Sequence, residues 1–387
     1  MQGRAIAVLA AGHLFTDLNQ GAMPALLPFF VTQYHLSYQQ VAGLVFAATI
    51  ASSFVQPIFG HYADRFRAAW LMPVGVLLAG AGMALTGVAQ NYWLLALVLM
   101  LSGLGVAAFH PEAARSMNAA AGERKATGFS FFSIGGSAGF ALGPLAATGL
   151  VLAFGLRGAL LLAIPAGAMA LVLFNQMGRL PAPAIRRARQ ADSTETAYAM
   201  PPDAWAPFWR LIVAVVFRSI IFFGFNTFLA LYWVNILGQS KVAGGAILTI
   251  WLVCGVVGAL IGGRLSDRFG ARQVGFWTSL AMLPLVLLFA WTRQIVPASL
   301  ALILIGILYA APSSGLMVLG QDLLPNHIGV ASGVTIGLSV SVGGAVAPIL
   351  GWVADHYGIP LALASLASLP ALIAILLWSI PRVRRTA

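Results

Sequence analysis

Asp17 is an acid in a run of residues too apolar to be solvated. It follows His13 by four positions, so both side chains share one helix face, and Asn19, Gln20, Pro24 and Pro28 come after it. A second group falls at Phe109-His110-Pro111-Glu112-Ala113-Ala114-Arg115, and a lone base, Arg218, precedes Asn226 and Asn235. Carboxylate and imidazole in apolar surroundings can exchange protons at working pH, because burial and neighbouring charge tune them. A guanidinium there can grip carboxylate, phosphate or phosphonate through paired N–H donors. Each group also has a bland alternative: Asp17 held by His13 or backbone, Glu112 paired with Arg115, Arg218 balancing Asp17 or Glu112.

An acid–base enzyme built on His110 and Glu112 is a further reading. No nucleophile or nucleotide motif accompanies that pair, and Gly135-Gly136 lies in apolar sequence without a P-loop lysine. His110-x-Glu112 also offers metal-ligand types, but no defined set of further ligands stands with it, so no metal and no other cofactor is expected. The single cysteine, Cys254, sits in an apolar run, which leaves no disulfide within one chain.

The elements that position these groups must be membrane helices. Of 387 residues 60% are hydrophobic and 8% charged, with a mean hydropathy of +0.91, whereas soluble domains carry about 25% charged residues. A spanning helix of ~20 to 25 residues plus a short loop repeats about twelve times in this length. Spans are expected at roughly 5 to 32, 39 to 62, 68 to 88, 91 to 118, 126 to 153, 157 to 178, 207 to 237, 241 to 267, 271 to 291, 296 to 321, 326 to 354 and 359 to 380. Asp17 then lies roughly 18 Å into a core ~30 Å thick, where an ionisable residue is a functional candidate by default. The first apolar run continues past fifteen residues without an A-x-A-like site, so no cleavable signal peptide is expected.

The net charge of +11 speaks of the bilayer rather than of nucleic acid. With both termini cytoplasmic, sixteen of the 21 Lys and Arg fall in or beside inner connections, against Arg157, Lys241 and Arg293 on outer ones, as positive charge is normally distributed. Residues 179–206 hold four prolines with clustered Arg and acids, the composition of a polar linker. The expected domains are therefore 1–178, a cytoplasmic linker 179–206, and 207–387.

The halves repeat. Gly60-His61-Tyr62-Ala63-Asp64-Arg65 returns about 203 residues later as Gly263-Arg264-Leu265-Ser266-Asp267-Arg268, each copy between two apolar segments. Charge costs at least ~2.5 to 3.5 kcal/mol at a span's centre, so each copy must be a tight connection at the membrane surface. Gly139 and Pro144 likewise fall on Gly343 and Pro348, and Gly21 on Gly224.

Two six-helix halves with Asp-Arg turns after the second and eighth helices resemble the major facilitator superfamily over the whole chain. The resemblance implies an all-α integral membrane protein of twelve transmembrane helices in two pseudo-symmetric six-helix bundles, with alternating access to a cleft between them. The Phe109-His110-Pro111-Glu112 run, with His13, Asp17, Gln20 and Gln56-Pro57-Ile58-Phe59-Gly60, resembles the fosmidomycin-resistance branch of that superfamily. That branch's activity, export of a phosphonate antibiotic against inward proton flow, implies a drug/proton antiporter in the bacterial cytoplasmic (inner) membrane. Its partners would be protons, the lipid bilayer and a small polar or anionic solute, with no nucleic acid, and the family expectation is a monomer. Import or facilitated passage of an organic anion or sugar needs the same fold and is the alternative.

On this reading Asp17, His110, Glu112 and His13 are the proton-coupling residues, and Arg218, Gln20, Asn226 and Asn19 the substrate-binding ones. Gly60, Asp64, Arg65, Arg115, Gly263, Asp267 and Arg268 form a conformational switch, with Asp64 placed to reach the end of the fourth helix near Arg115. Gly139, Gly143 and Pro144 resemble the first part of the superfamily's antiporter motif without the glycine pair after the proline. Small residues at that spacing also let helices approach closely. Ser130 to Ser137 reads Ser-Phe-Phe-Ser-Ile-Gly-Gly-Ser, where that branch tends to carry Gln and Asn, so fewer amides would face the solute.

Overall fold

The computed structural model describes residues 2–65, 68–180, 202–327, 330–331, 334–335 and 339–381; the side chains of 54, 57, 60–65, 125–126 and 339–340 lie outside that description. Its regular elements are helical: α1 (Gly3–Tyr34), α2 (Tyr38–Arg65), α3 (Leu71–Leu85), α4 (Tyr92–Ala121), α5 (Lys125–Phe154), a 3-10 stretch (Leu156–Leu162) running into α6 (Ala163–Gln176), α7 (Trp205–Asn235), α8 (Lys241–Phe269), α9 (Ala271–Trp291), α10 (Ile295–Ala310), α11 (Ser313–Leu323), a 3-10 turn (Pro325–His327), α12 (Ser339–Tyr357), α13 (Ile359–Ser365) and α14 (Ser368–Ser379). Among the described residues, eight helical stretches are long and apolar enough to cross a membrane. The twelve expected spans are present as helix, with the eleventh described only in part.

Two expected spans are not continuous. The tenth divides into α10 and α11 at Ala311-Pro312, because Pro312 has no N–H to donate and its ring clashes with the carbonyl of Leu308. The twelfth divides into α13 and α14. By contrast α1 runs through Pro24 and Pro28, and α4 through Pro111, as single helices. The first Asp-Arg pair lies within α2 rather than in a loop. The second copy ends α8, and Gly270, at φ 87, is the one residue between α8 and α9. A left-handed φ at that point is why the position is glycine.

The chain falls into two units, residues 1–192 with 240–249, and residues 193–239 with 250–387. In the first unit α1, α3, α4, α5 and α6 share a core that includes Leu9, Val76, Phe109, Met117, Phe132, Met169 and Leu173. Its most extensive pairing is α1 on α5. A Cβ built on Gly135, Gly139 or Gly143 would meet the backbone oxygen of Ala10, Leu14 or Leu18 at 2.2, 2.0 and 2.4 Å. The stripe of small residues along α5 therefore seats α1 backbone to backbone, in parallel register.

The second unit repeats this arrangement. A Cβ on Gly343 of α12 would meet Ser219 Oγ at 2.2 Å and its carbonyl carbon at 2.8 Å, so Ser219 of α7 stands where Leu14 stands on α1. The residue before each is His13 in one unit and Arg218 in the other. Ahead of α7, Ala204 N–H donates to the Leu323 carbonyl at 2.7 Å. Asp203 accepts from the Asn326 backbone N–H at 3.0 Å and its side-chain amide at 3.3 Å, and meets His327 Nδ1 at 2.6 Å. Desolvation opposes ionisation of this carboxyl, but those hydrogen bonds and the His327 charge outweigh it and hold the group below the usual carboxylate range.

Candidate functional site

At 1.5 Å per residue the 32 residues of α1 extend ~48 Å, and Asp17 lies near the middle. His110, from α4, joins Asp17 and His13 in a triangle. His13 Nε2 is 3.2 Å from Asp17 Oδ2, His110 Nε2 is 3.3 Å from Asp17 Oδ1, and the two Nε2 atoms are 3.2 Å apart. Gln20 adds a long contact, its amide 3.4 Å from Asp17 Oδ1. The side chains of His13, Asp17 and His110 keep 12, 14 and 21% exposure, so the group is recessed but not sealed.

The far side of each imidazole fixes its tautomer. His13 Nδ1 is 2.8 Å from the Phe132 carbonyl oxygen, and His110 Nδ1 is 2.9 Å from that of Val106. A carbonyl oxygen only accepts, so both Nδ1 atoms carry hydrogen. With both rings neutral, two Nε2 lone pairs and a carboxylate would then face one another at hydrogen-bond distance. Something positive must lie among them. One extra proton suffices, since a cationic imidazole can share its Nε2–H between Asp17 and the other ring.

Packing holds this geometry. The Phe132 ring stacks on His13 at 4.0 Å between centroids, and Phe109 and His110 stand close to it. A Cβ on Gly136 would lie 2.5 Å from His13 Nε2 and 2.9 Å from Asp17 Oδ2, so the cluster fits only because that residue has no side chain. Sequence reasoning did not single out Gly136; its signal was a position one turn ahead of Gly139 beside the Gly135 stripe.

Glu112 stands on another side of α4, as residues two apart on a helix must. It is 1% exposed, and Arg115 donates to it from 3.0 Å. Of the alternatives open in the sequence, the pairing with Arg115 is the one found. Asn19 is buried and its amide donates to the Phe15 carbonyl at 2.8 Å, while its Oδ1 has no partner among the described residues.

In the second unit Arg218 is 5% exposed. Its guanidinium donates to the Tyr309 carbonyl oxygen and to Ser313 Oγ, the latter at 3.0 Å, and lies 4.7 Å above the Tyr309 ring. These partners flank the Pro312 break between α10 and α11. Phe222 and Trp251 border Tyr309 at 6.0 and 5.8 Å. No ion pair to Arg218 is found among the described residues, and the two acids considered as its counter-ions, Asp17 and Glu112, are engaged within the first unit. Asn226, one α7 face further on, is buried with Oδ1 unpartnered among the described residues; Asn235 closes that helix. Tyr309 and Ser313 were not anticipated, although Pro312 inside an apolar run marks the place.

Gly263, Asp267 and Arg268 end α8, with Arg268 lying 5.2 Å from the Phe269 ring. Gly60, Asp64 and Arg65 belong to α2, but their side chains lie outside the described residues, and so does any contact of Asp64 with Arg115. Gly139 and Gly143 lie against α1 as described, with Pro144 following inside α5.

Among the described residues the regular elements are helices, many long and apolar enough to cross a membrane, with ionisable groups at mid-span, the architecture expected of a membrane transporter. The chain belongs to the Major Facilitator Superfamily, whose family model matches residues 9–348. It is 27% identical to the fosmidomycin resistance protein of Escherichia coli (strain K12), over 95% of this chain and 90% of that one. It is 26% identical to the uncharacterized MFS-type transporter YfnC of Bacillus subtilis (strain 168), over 94% and 90%. Among solved structures, a bacterial homolog of the human lysosomal transporter Spinster matches with a TM-score of 0.82 at 14% identity, covering 97% of this chain and 96% of that one; this likeness concerns the fold alone. The protein is a multi-pass transporter of small molecules, and the enzyme reading of His110 and Glu112 falls away.

Proposed function

We propose that this transporter is a proton-coupled antiporter that exports a small polar or anionic drug such as fosmidomycin. The observation that carries the reading is the triangle of His13, Asp17 and His110, three acceptors that need a positive charge among them. Protons loaded there and a solute held in the other unit favour opposite states of the protein, so each drives release of the other through its differential affinity. Arg218, a buried cation whose partners are neutral, is the anion-binding residue, with Asn226 about two turns further along α7; Gln20 and Asn19 are the polar groups offered from α1. Glu112 enters through Arg115 rather than through the triangle, and the Asp64-Arg65 and Asp267-Arg268 pairs at the ends of α2 and α8 act as the switch.

The name of the Escherichia coli relative, a fosmidomycin resistance protein, supports the drug. The distribution of Lys and Arg supports cytoplasmic termini and linker, with residues 1–178 and 207–387 as the two bundles of a monomer in the bacterial inner membrane. The test uses inside-out vesicles energised to an acidic interior, with a pH-sensitive dye and added fosmidomycin, comparing wild type with Asp17→Asn. Proton release from wild type alone is the expected result. Silence from wild type in correctly inserted protein would refute the substrate, and equal release from both would refute Asp17 as the coupling acid.

A further inference from the structure

We infer that His13, Asp17 and His110 also form a binding site for a first-row divalent transition-metal cation, Zn²⁺ foremost. The donor set is two imidazoles and one carboxylate, and their ligand atoms lie within 4.8 Å of one another. The separations are those of a coordination shell. Bonds of ~2.0 to 2.1 Å in a tetrahedron set neighbouring ligand atoms about 3.3 to 3.4 Å apart; the two imidazole nitrogens are 3.2 Å apart and lie 3.2 and 3.3 Å from different oxygens of Asp17, so a turn of the carboxylate brings one oxygen to both. Little movement is needed to admit the ion.

The outer shell is also in place. Ligating histidines characteristically donate the other ring N–H to a carbonyl or carboxylate, which fixes the ligating nitrogen. His13 and His110 do so to Phe132 and Val106, and both leave Nε2 free to bind. Gln20 stands behind Asp17 as a further hydrogen-bond partner. The residual exposure of the three side chains admits a water as fourth ligand. Two nitrogen donors exclude the hard cations, which take oxygen, and the absence of thiolate among the three favours Zn²⁺ or Co²⁺ over softer ions.

Binding of the cation does not depend on the antiport reading, because the site is defined by its acceptors whatever they do in transport. Purified protein in detergent, with any affinity tag removed, is titrated with Co²⁺ and followed by visible absorption. The expected result is one Co²⁺ per chain with the intense band of a low-coordinate site, displaced by Zn²⁺ and unaffected by excess Mg²⁺. His13→Gln and His110→Gln should each weaken binding by more than the ~10- to 100-fold that loss of an outer-shell partner costs, while His35→Gln and His356→Gln leave it unchanged. Asp17→Cys guards against misreading a misfolded variant, since it should bind Co²⁺ and add a thiolate-to-metal band in the near ultraviolet. Absence of the band from folded wild type, or its survival in both His13→Gln and His110→Gln, would overturn the site.

Discussion

Two glycines one turn apart on α5 separate the packing of the first unit from its chemistry. In Gly139→Ala the new methyl group falls 2.0 Å from the Leu14 oxygen, 2.8 Å from its carbonyl carbon and 2.9 Å from its Cα. Backbone cannot rotate away, so α1 must retreat by roughly 1 Å, a gap that forfeits a quarter to a half of the dispersion attraction across the contact. Overpacking costs about 1 to 3 kcal/mol and alanine returns ~1 kcal/mol of helix propensity, leaving a net loss of up to about 2 kcal/mol. At ~2 to 4 °C per kcal/mol, detergent-solubilised protein should melt several degrees lower. In Gly136→Ala the obstacle is instead the tip of the His13 ring and one Asp17 oxygen, which can swing aside. The melting temperature should change little, while substrate-dependent proton release in vesicles is lost because His13 no longer meets Asp17. The reasoning fails if Gly139→Ala melts at or above wild type, or if Gly136→Ala retains full proton release.

Arg218→Gln removes charged hydrogen bonds worth about 1.5 to 3 kcal/mol, so equilibrium binding of an anionic solute should weaken roughly 10- to 150-fold with little effect on a neutral one. Arg115→Ala removes the 3.0 Å ion pair from the buried Glu112 carboxylate and should destabilise the protein by up to about 3 to 5 kcal/mol; Glu112→Gln, which removes the buried charge itself, should cost less in the same unfolding assay. Asp203 is held below its ordinary range, so its contribution is present above the unfolded carboxylate pKa of about 3.9 and is lost as pH falls through the lower folded value. In melts taken across that acid window, wild type should lose stability that Asp203→Asn never had.

Apolar runs punctuated by charge located nearly every span, because hydrocarbon tolerates only satisfied backbone and few charges. The duplicated Asp-Arg turn and the Gly139/Gly343 correspondence gave the internal repeat, and the structure places both glycines against the first helix of their unit. What hydropathy could not convey was which face of each helix turns inward, since the lipid-facing side of a span is as apolar as its core. His13 and Asp17 were legible as a pair from their spacing alone. Their meeting with His110, 97 residues away along the chain, is a tertiary fact with no local signature. Glu112 looked equivalent to His110 in sequence, but a two-residue offset on α4 turned it towards Arg115. The Pro312 break was missed for a related reason: a proline in an apolar run reads equally as a tolerated interior residue, as in α1 and α4, or as a division, and only the packing around it decides.

The carbonyl partners of His13 and His110 have one more consequence. A histidine that relays protons does so by taking one on one ring nitrogen and giving up another from the opposite one. Here the opposite nitrogen of both rings is committed to the main chain, so a proton that reaches Nε2 cannot pass through the ring and must leave from that same nitrogen. The triangle is a cul-de-sac rather than a wire. It can hold charge while the surrounding protein changes state, yet neither imidazole offers the gradient a path through its own ring.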